Sequence, residues 1–303
     1  MARTVEVVGV PMDLGADRRG VDMGPSAIRY GGLTTQLEGT GVDCTDGGDI
    51  QVPRPEGSDP TTDDDIDGEA TYLEQTRIVC DRLRNRVRRI RDAGRFPLVL
   101  GGDHSIGIGT ARGVADVDTG VLWFDAHGDC NTPATTPSGN VHGMTLAAIL
   151  GEGIFAGRSW AAGAEIEAEN VALVGVRALD PGERELIERS AIRAYTMADI
   201  DERGITAVVR EALAAVTDGT DQLSVSLDLD VLDPGEAPGV GTPVRGGISY
   251  REAHAAMEIV ATEAETALAA LELVEVNPIL DEHNRTAELA CELAASAFGD
   301  TIL

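Results

Sequence analysis

The sequence predicts an α/β protein: a single three-layer α/β/α domain with a mostly parallel central sheet. Six apolar runs rich in Val, Leu and Ile point to it: TVEVVGVP near residue 4, FPLVLGGDH from 96, GVLWFDAH from 120, VALVGVR from 171, QLSVSLDLD from 222 and ALELVEVNP from 270. Near-continuous apolar runs, rather than strict alternation, are what strands buried on both faces require. Helical patterns separate them, the arrangement that covers a parallel sheet on both sides. No composition break or internal repeat divides residues 1–303, so one large domain is expected where the length would also allow two.

The helices follow from their punctuation. GPSAIRYGGLTTQLEG starts at Gly24 with Pro25 in its first turn, and DGEATYLEQTRIVCDRLRNRVRRIRDAG ends at Gly94. GITAVVREALAAVTDG, SYREAHAAMEIVATEAE and EHNRTAELACELAASAFG supply three more. Residues 54–69, RPEGSDPTTDDDIDGE, read as an acidic surface insertion, because Asp, Pro and Gly dominate and the spacing of a calcium loop is absent. The basic run RLRNRVRRIR reads as an amphipathic helix rather than a nucleic-acid patch. Leu83, Val87 and Ile90 recur at helical spacing and leave the arginines on a solvated face.

The formal charge is −28, from 52 acidic and 24 basic residues, and every basic residue is arginine. Such a surface repels nucleic acid and anionic membrane, so neither is an expected partner. The carboxylates keep a protein hydrated where concentrated salt screens their repulsion, so a halophilic, salt-rich cytoplasm is expected. The start MARTVEVVGV lacks the pattern of a secretory signal and no apolar run reaches membrane-spanning length, which makes the cytoplasm the expected compartment. Cys44, Cys80, Cys130 and Cys291 form no CxxC pair and read as reduced thiols.

The chemistry is concentrated at three strand ends. Side chains alternate along a strand, so a strand continuing through LWFDAHGD would project Asp125, His127 and Asp129 to one side. SLDLD does the same for Asp228 and Asp230, and LVLGGDH brings His104 past a Gly-Gly turn. In open α/β sheets ligands gather beyond the carboxyl ends of the strands, where all three groups fall. His104, Asp125, His127, Asp129, Asp228 and Asp230 are too many donors for one ion and suit two divalent ions with bridging carboxylates. Oxygen donors and the absence of thiolate favour Mn²⁺, while Co²⁺, Ni²⁺ and Fe²⁺ suit the same donor types. Such a pair of ions activates water at neutral pH, so metal-assisted hydrolysis is the expected reaction class.

At this point the motifs resemble a known family. GGDHSIGIGT, DAHGDCNTPATTPSGNVHGM, SLDLDVLDP, GVGTPVRGG and EVNP are similar to successive signatures of the ureohydrolase, or arginase, family, as are GADRRGVDMGPSAIR and VGVRALDPGE. The resemblance implies an arginase-like fold, two Mn²⁺ per subunit, and hydrolysis of L-arginine and water to L-ornithine and urea by a metal-bridging hydroxide. It implies that His104, Asp125, Asp129 and Asp228 hold one ion and His127, Asp125, Asp228 and Asp230 the other. Glu275 matches the guanidinium partner, and Asn131, Thr136 and Ser138 match the α-carboxylate contacts, with Asn140 supporting their loop. Asp180 matches the α-amino contact and Thr242 a position near the metal pocket. Ala178 stands where some members carry Asp. Members commonly form trimers or hexamers, so a homo-oligomer is expected.

Physical roles accompany these matches. Asp129 is placed to accept a hydrogen bond from the nucleophile, and His142 is the expected proton shuttle, with an ordinary pKa near ~6.5. Agmatine has no carboxylate for the NTPATTPSGN loop to bind, which favours arginine over that rival substrate. His104 and Asp129 complete a second metal position, which argues against the single-zinc deacetylases of the same fold.

Overall fold

The computed structural model describes residues 3–61, 66–163 and 165–302. Among these residues, eight parallel strands form one sheet: β1 (Thr4–Val10), β2 (Asp43–Asp49), β3 (Phe96–Gly101), β4 (Thr119–Phe124), β5 (Val171–Val176), β6 (Arg193–Thr196), β7 (Gln222–Asp228) and β8 (Leu268–Val274). Their spatial order is β2-β1-β3-β8-β7-β4-β5-β6. All six apolar runs are strands, and they occupy the six interior places. The two strands that the apolar pattern did not reveal, β2 and β6, are the sheet edges. An edge strand has one neighbour and water beyond it, so DCTDGGD and RAYT need no apolar run.

Among the described residues, ten helices cover the sheet: α1 (Gly24–Tyr30), α2 (Leu33–Gly39), α3 (Leu73–Asp92), α4 (Gly107–Val114), α5 (Thr145–Leu150), α6 (Pro181–Arg189), α7 (Met197–Arg203), α8 (Ile205–Thr217), α9 (Tyr250–Glu263) and α10 (Arg285–Ala297). The predicted helix from Gly24 is two helices, because Gly32 takes a left-handed φ of 94° between them. Side chains of β4 alternate between two cores. Leu122 and Phe124 pack with α1, α2 and α7 to α10 on one face, whereas Val121 and Trp123 pack with the α4 to α6 side. Helix α3 buries Leu83, Val87 and Ile90, and its arginines pair outward, Arg86 with Glu6 and Arg91 with Asp116.

This wiring positions the site. β3 and β4 leave the sheet over the face of α4 and α5, while the adjacent β7 and β8 leave over the face of α9 and α10. A crevice opens where neighbouring chains part in opposite directions, and here it lies beyond the carboxyl ends of β4 and β7.

The acidic segment 54–69 includes a short turn at Pro55–Gly57 and exposed Glu56 and Gly57; residues 62–65 of that segment lie outside the described residues. Among the described residues, no helix is long and apolar enough to cross a membrane. All four cysteines are free thiols, three of them buried.

Candidate metal centre

The predicted ligands converge, but not by strand alternation. β4 stops at Phe124 and Asp129 adopts a left-handed φ of 51°, so the strand does not continue through residues 125–129. Asp230 likewise lies in a 3-10 turn, Leu229–Val231. What aims the carboxylates is a turn used three times. Asp125 Oδ1 accepts the His127 backbone N–H at 2.7 Å, Asp228 Oδ1 that of Asp230 at 2.7 Å, and Asp103 Oδ1 that of Ser105 at 3.0 Å. A short carboxylate can close such a turn with one oxygen. In Asp125 and Asp228 the other oxygen, Oδ2, faces His104 across the crevice.

His104 Nδ1 lies 3.1 Å from Asp125 Oδ2, 3.1 Å from Asp129 Oδ2 and 3.1 Å from Asp228 Oδ2. His127 Nδ1 lies 3.0 Å from Asp230 Oδ2 and 3.5 Å from Asp125 Oδ1. Two donor groups result, His104 with Asp125 and Asp228, and His127 with Asp125 and Asp230, with Asp125 common to both.

Their chemistry fits a pair of divalent cations. Ser226 Oγ donates to Glu272 Oε1 at 2.6 Å, so it accepts from His104 Nε2, 2.7 Å away. A neutral His104 with its proton on Nε2 presents the bare lone pair of Nδ1 to three carboxylate oxygens, an arrangement only a cation relieves. His104 Nδ1 and Asp129 Oδ2 are buried without any hydrogen-bond partner. In the metal-free protein a proton takes that place. Burial disfavours it, yet the surrounding carboxylates hold His104 well above the ordinary imidazole range. Burial and the charge of Asp125 push Asp129 up to about 6. The centre is braced from behind, since the His104 ring stacks on Trp123 at 4.1 Å and Trp123 Nε1 donates to Asp125 Oδ2 at 3.0 Å.

Glu275 sits one residue beyond β8 at a left-handed φ of 65°. Its Oε1 accepts the His104 backbone N–H at 2.9 Å and lies 3.0 Å from His142 Nδ1, while Oε2 is buried without a hydrogen-bond partner. The absence of a side chain at Gly241 keeps room before that oxygen, since a Cβ there would come within 2.6 Å of it. The expectation of an ordinary pKa for His142 needs correction. Burial lowers it, but the Glu275 carboxylate outweighs burial and raises it to about 9 in the metal-free protein.

A cavity over the donors is lined by His127, Asp129, Asn131, Thr136, Ser138, His142, Asp180 and Thr242. An adjoining one shares Ser138, His142 and Thr242 and adds Arg18, Asn140 and Glu275. Asn131 Nδ2 donates to Asp180 Oδ2 at 3.1 Å, Asn140 Nδ2 to the Ala16 carbonyl at 3.0 Å, and Thr242 Oγ1 to Asp230 Oδ2 at 3.0 Å. Every predicted site residue thus lies at this one crevice. Glu183 was missed. It lines the same cavity, accepts the Asp180 N–H at 2.9 Å at the start of α6, and is pushed by burial up to about 7. The DPGE sequence, an acidic cap with Glu three residues later, carried a capping signal for it. Ser226 and Glu272 were hidden in runs that read as core strand.

Fold and donors together define a three-layer α/β/α hydrolase whose two groups of His and Asp donors suit metal ions. The profile of the arginase family matches residues 3–299, and the chain belongs to that family. It is 52% identical to an arginase of Brevibacillus brevis over 308 residues, with both chains fully covered. It is 49% identical to an arginase of Bacillus caldovelox, covering 99% of this chain and 100% of that one. The solved native structure of Bacillus caldovelox arginase at pH 5.6 superposes with a TM-score of 0.91 at 47% identity, covering 99% of this chain and 100% of that chain.

Proposed function

We propose that the protein hydrolyses L-arginine to L-ornithine and urea, with Mn²⁺ as the metal. The observation that carries this reading is the buried, unpartnered Oε2 of Glu275 beside the donor groups, aimed where a guanidinium would meet them. When bound, two divalent ions supply Lewis-acid activation of water. His104, Asp125, Asp129 and Asp228 would hold one ion, and His127, Asp125, Asp228 and Asp230 the other.

The side chains supply the rest. Glu275 pairs with the cationic guanidinium and orients its carbon toward the attacking water. Asp129 Oδ2 accepts a hydrogen bond from that water. As the C–N bond breaks, the leaving amine needs a proton. The imidazolium of His142, with Nδ1 held by Glu275, delivers it from Nε2. Asn131, Thr136 and Ser138, with Asn140 supporting their loop, bind the α-carboxylate. Asp180 takes the α-amino group, and Thr242 steadies Asp230.

Family membership also supports a homo-oligomer, a trimer or hexamer, to be read by light scattering. The deciding experiment is urea release by Mn²⁺-loaded protein in concentrated salt, with L-arginine, agmatine and guanidinobutyrate compared at equal concentration. Turnover of arginine alone supports the reading. Preference for agmatine, which has no carboxylate, or for guanidinobutyrate, which has no α-amino group, would overturn the clamp of Asn131, Ser138 and Asp180.

A further inference from the structure

The end of the acidic segment has an unexplained relation to the site. Gly68 to Thr71 runs in extended contact along the back of the loop Asn131–Asn140. The Glu69 N–H donates to the Pro133 carbonyl at 2.9 Å and the Thr71 N–H to the Gly139 carbonyl at 2.8 Å, and Thr71 and Asn140 form a short parallel bridge. Gly68 sits at a φ of +99°, so close that a Cβ there would collide with the Pro133 carbonyl. Ala70 between them is fully buried with Cys130, Val141 and Met144, which ties this strip to the core that flanks the loop.

We propose that Gly68–Thr71 is a positioning strap: it sets the conformation of the loop bearing Thr136 and Ser138, and thereby the protein's discrimination in favour of substrates with an α-carboxylate. The inference rests on the arginine reading above. The loop has two sides. Thr136 and Ser138 line the cavity on one, while the carbonyls of Pro133 and Gly139 on the other are taken by the strap. Within the loop the hydroxyls mostly bond to one another, Thr132 with Thr135 and Thr136 with Ser138, so its outward anchorage comes from the strap, from Asn131 and from Asn140. Binding a carboxylate requires those hydroxyls to be preset, because an adaptable loop loses affinity to its own ordering. None of the strap residues reaches the metal donors, so the strap acts through the loop alone.

The test uses the Mn²⁺-loaded full chain and two variants. Gly68→Ala places a methyl against the Pro133 carbonyl, and Thr71→Pro removes one N–H while leaving Ala70 in the core. The expected result is a KM for L-arginine raised roughly tenfold with kcat within about twofold, the scale of one lost hydrogen bond and a displaced loop. Inhibition by L-ornithine weakens in parallel, inhibition by putrescine, which lacks the carboxylate, stays unchanged, and bound Mn²⁺ equals that of wild type. An unmoved KM in both variants, or equal weakening of ornithine and putrescine, overturns the strap while leaving arginine hydrolysis by the wild type intact. A wild type that releases urea from agmatine and not from arginine overturns the arginine reading, and the strap falls with it.

Discussion

At the residue scale, the decisive contacts are those of Glu275 and His104. One carboxylate oxygen of Glu275 serves both the His104 backbone and the His142 ring, so its replacement has a readout independent of turnover. In metal-free Glu275→Gln, the His142 pKa is expected to fall from about 9 toward the ordinary 6.5, measured by NMR titration of the ring. The sign for stability follows. His142 gains a proton partner on folding, so the pair stabilises the metal-free fold fully below pH 6.5, and that contribution is lost as pH rises through about 9. Wild type should therefore lose stability across this window in denaturant titrations, and Glu275→Gln should lose less; equal slopes would contradict the pairing. Ser226 and Glu272 set the tautomer that frees His104 Nδ1. Removing the hydroxyl in Ser226→Ala should weaken Mn²⁺ binding by ~10- to 100-fold, the usual cost of losing a partner that orients a ligand. Calorimetric titration of the metal would show it, and unchanged affinity would remove Ser226 from that role.

At the element scale, close packing of strand on helix gives the sharpest prediction. Gly120 in β4 lies against the last turn of α8, where a Cβ would run into the Val216 carbonyl. Gly120→Ala should destabilise the protein by roughly 1–3 kcal/mol through overpacking, measured as a lower urea midpoint at unchanged slope. Elements also show how far the sequence could be read. The interior strands announced themselves because burial on both faces demands Val, Leu and Ile, and the long helices because fourteen or twenty residues let a periodicity repeat. The short α4, α5, α6 and α7 give a periodic pattern little room to repeat, and in α4 all eight residues are buried, so no polar face marks it. The metal donors were legible because carboxylates and imidazoles seldom follow such apolar runs. Their aiming was not, since Asp at a strand end gives the same letter whether it continues a pleat or closes a turn.

At the scale of the whole molecule, charge and wiring matter most. With 24 arginines against 52 acidic residues, many carboxylates have no cation to answer them. If the surface is tuned to a salt-rich cytoplasm, the thermal midpoint should rise as KCl goes from about 0.1 M to about 2 M, because counterions screen the mutual repulsion. A midpoint that is flat or falls with salt would sink that reading. The strand order has a consequence in time. His104 follows β3 and Asp228 ends β7, but these strands are not neighbours, and the strip between them is β8, which comes later in the chain than either. A chain emerging from the ribosome holds all six metal donors once residue 230 has appeared, yet cannot seat β3 and β7 at their final separation until residues 268–274 slide in. The donors thus meet only once β8 is in place between β3 and β7. A protein ending before residue 268 should carry every ligand and still fail to retain manganese through gel filtration, so a strand that contributes no metal donor decides whether the donors can act together.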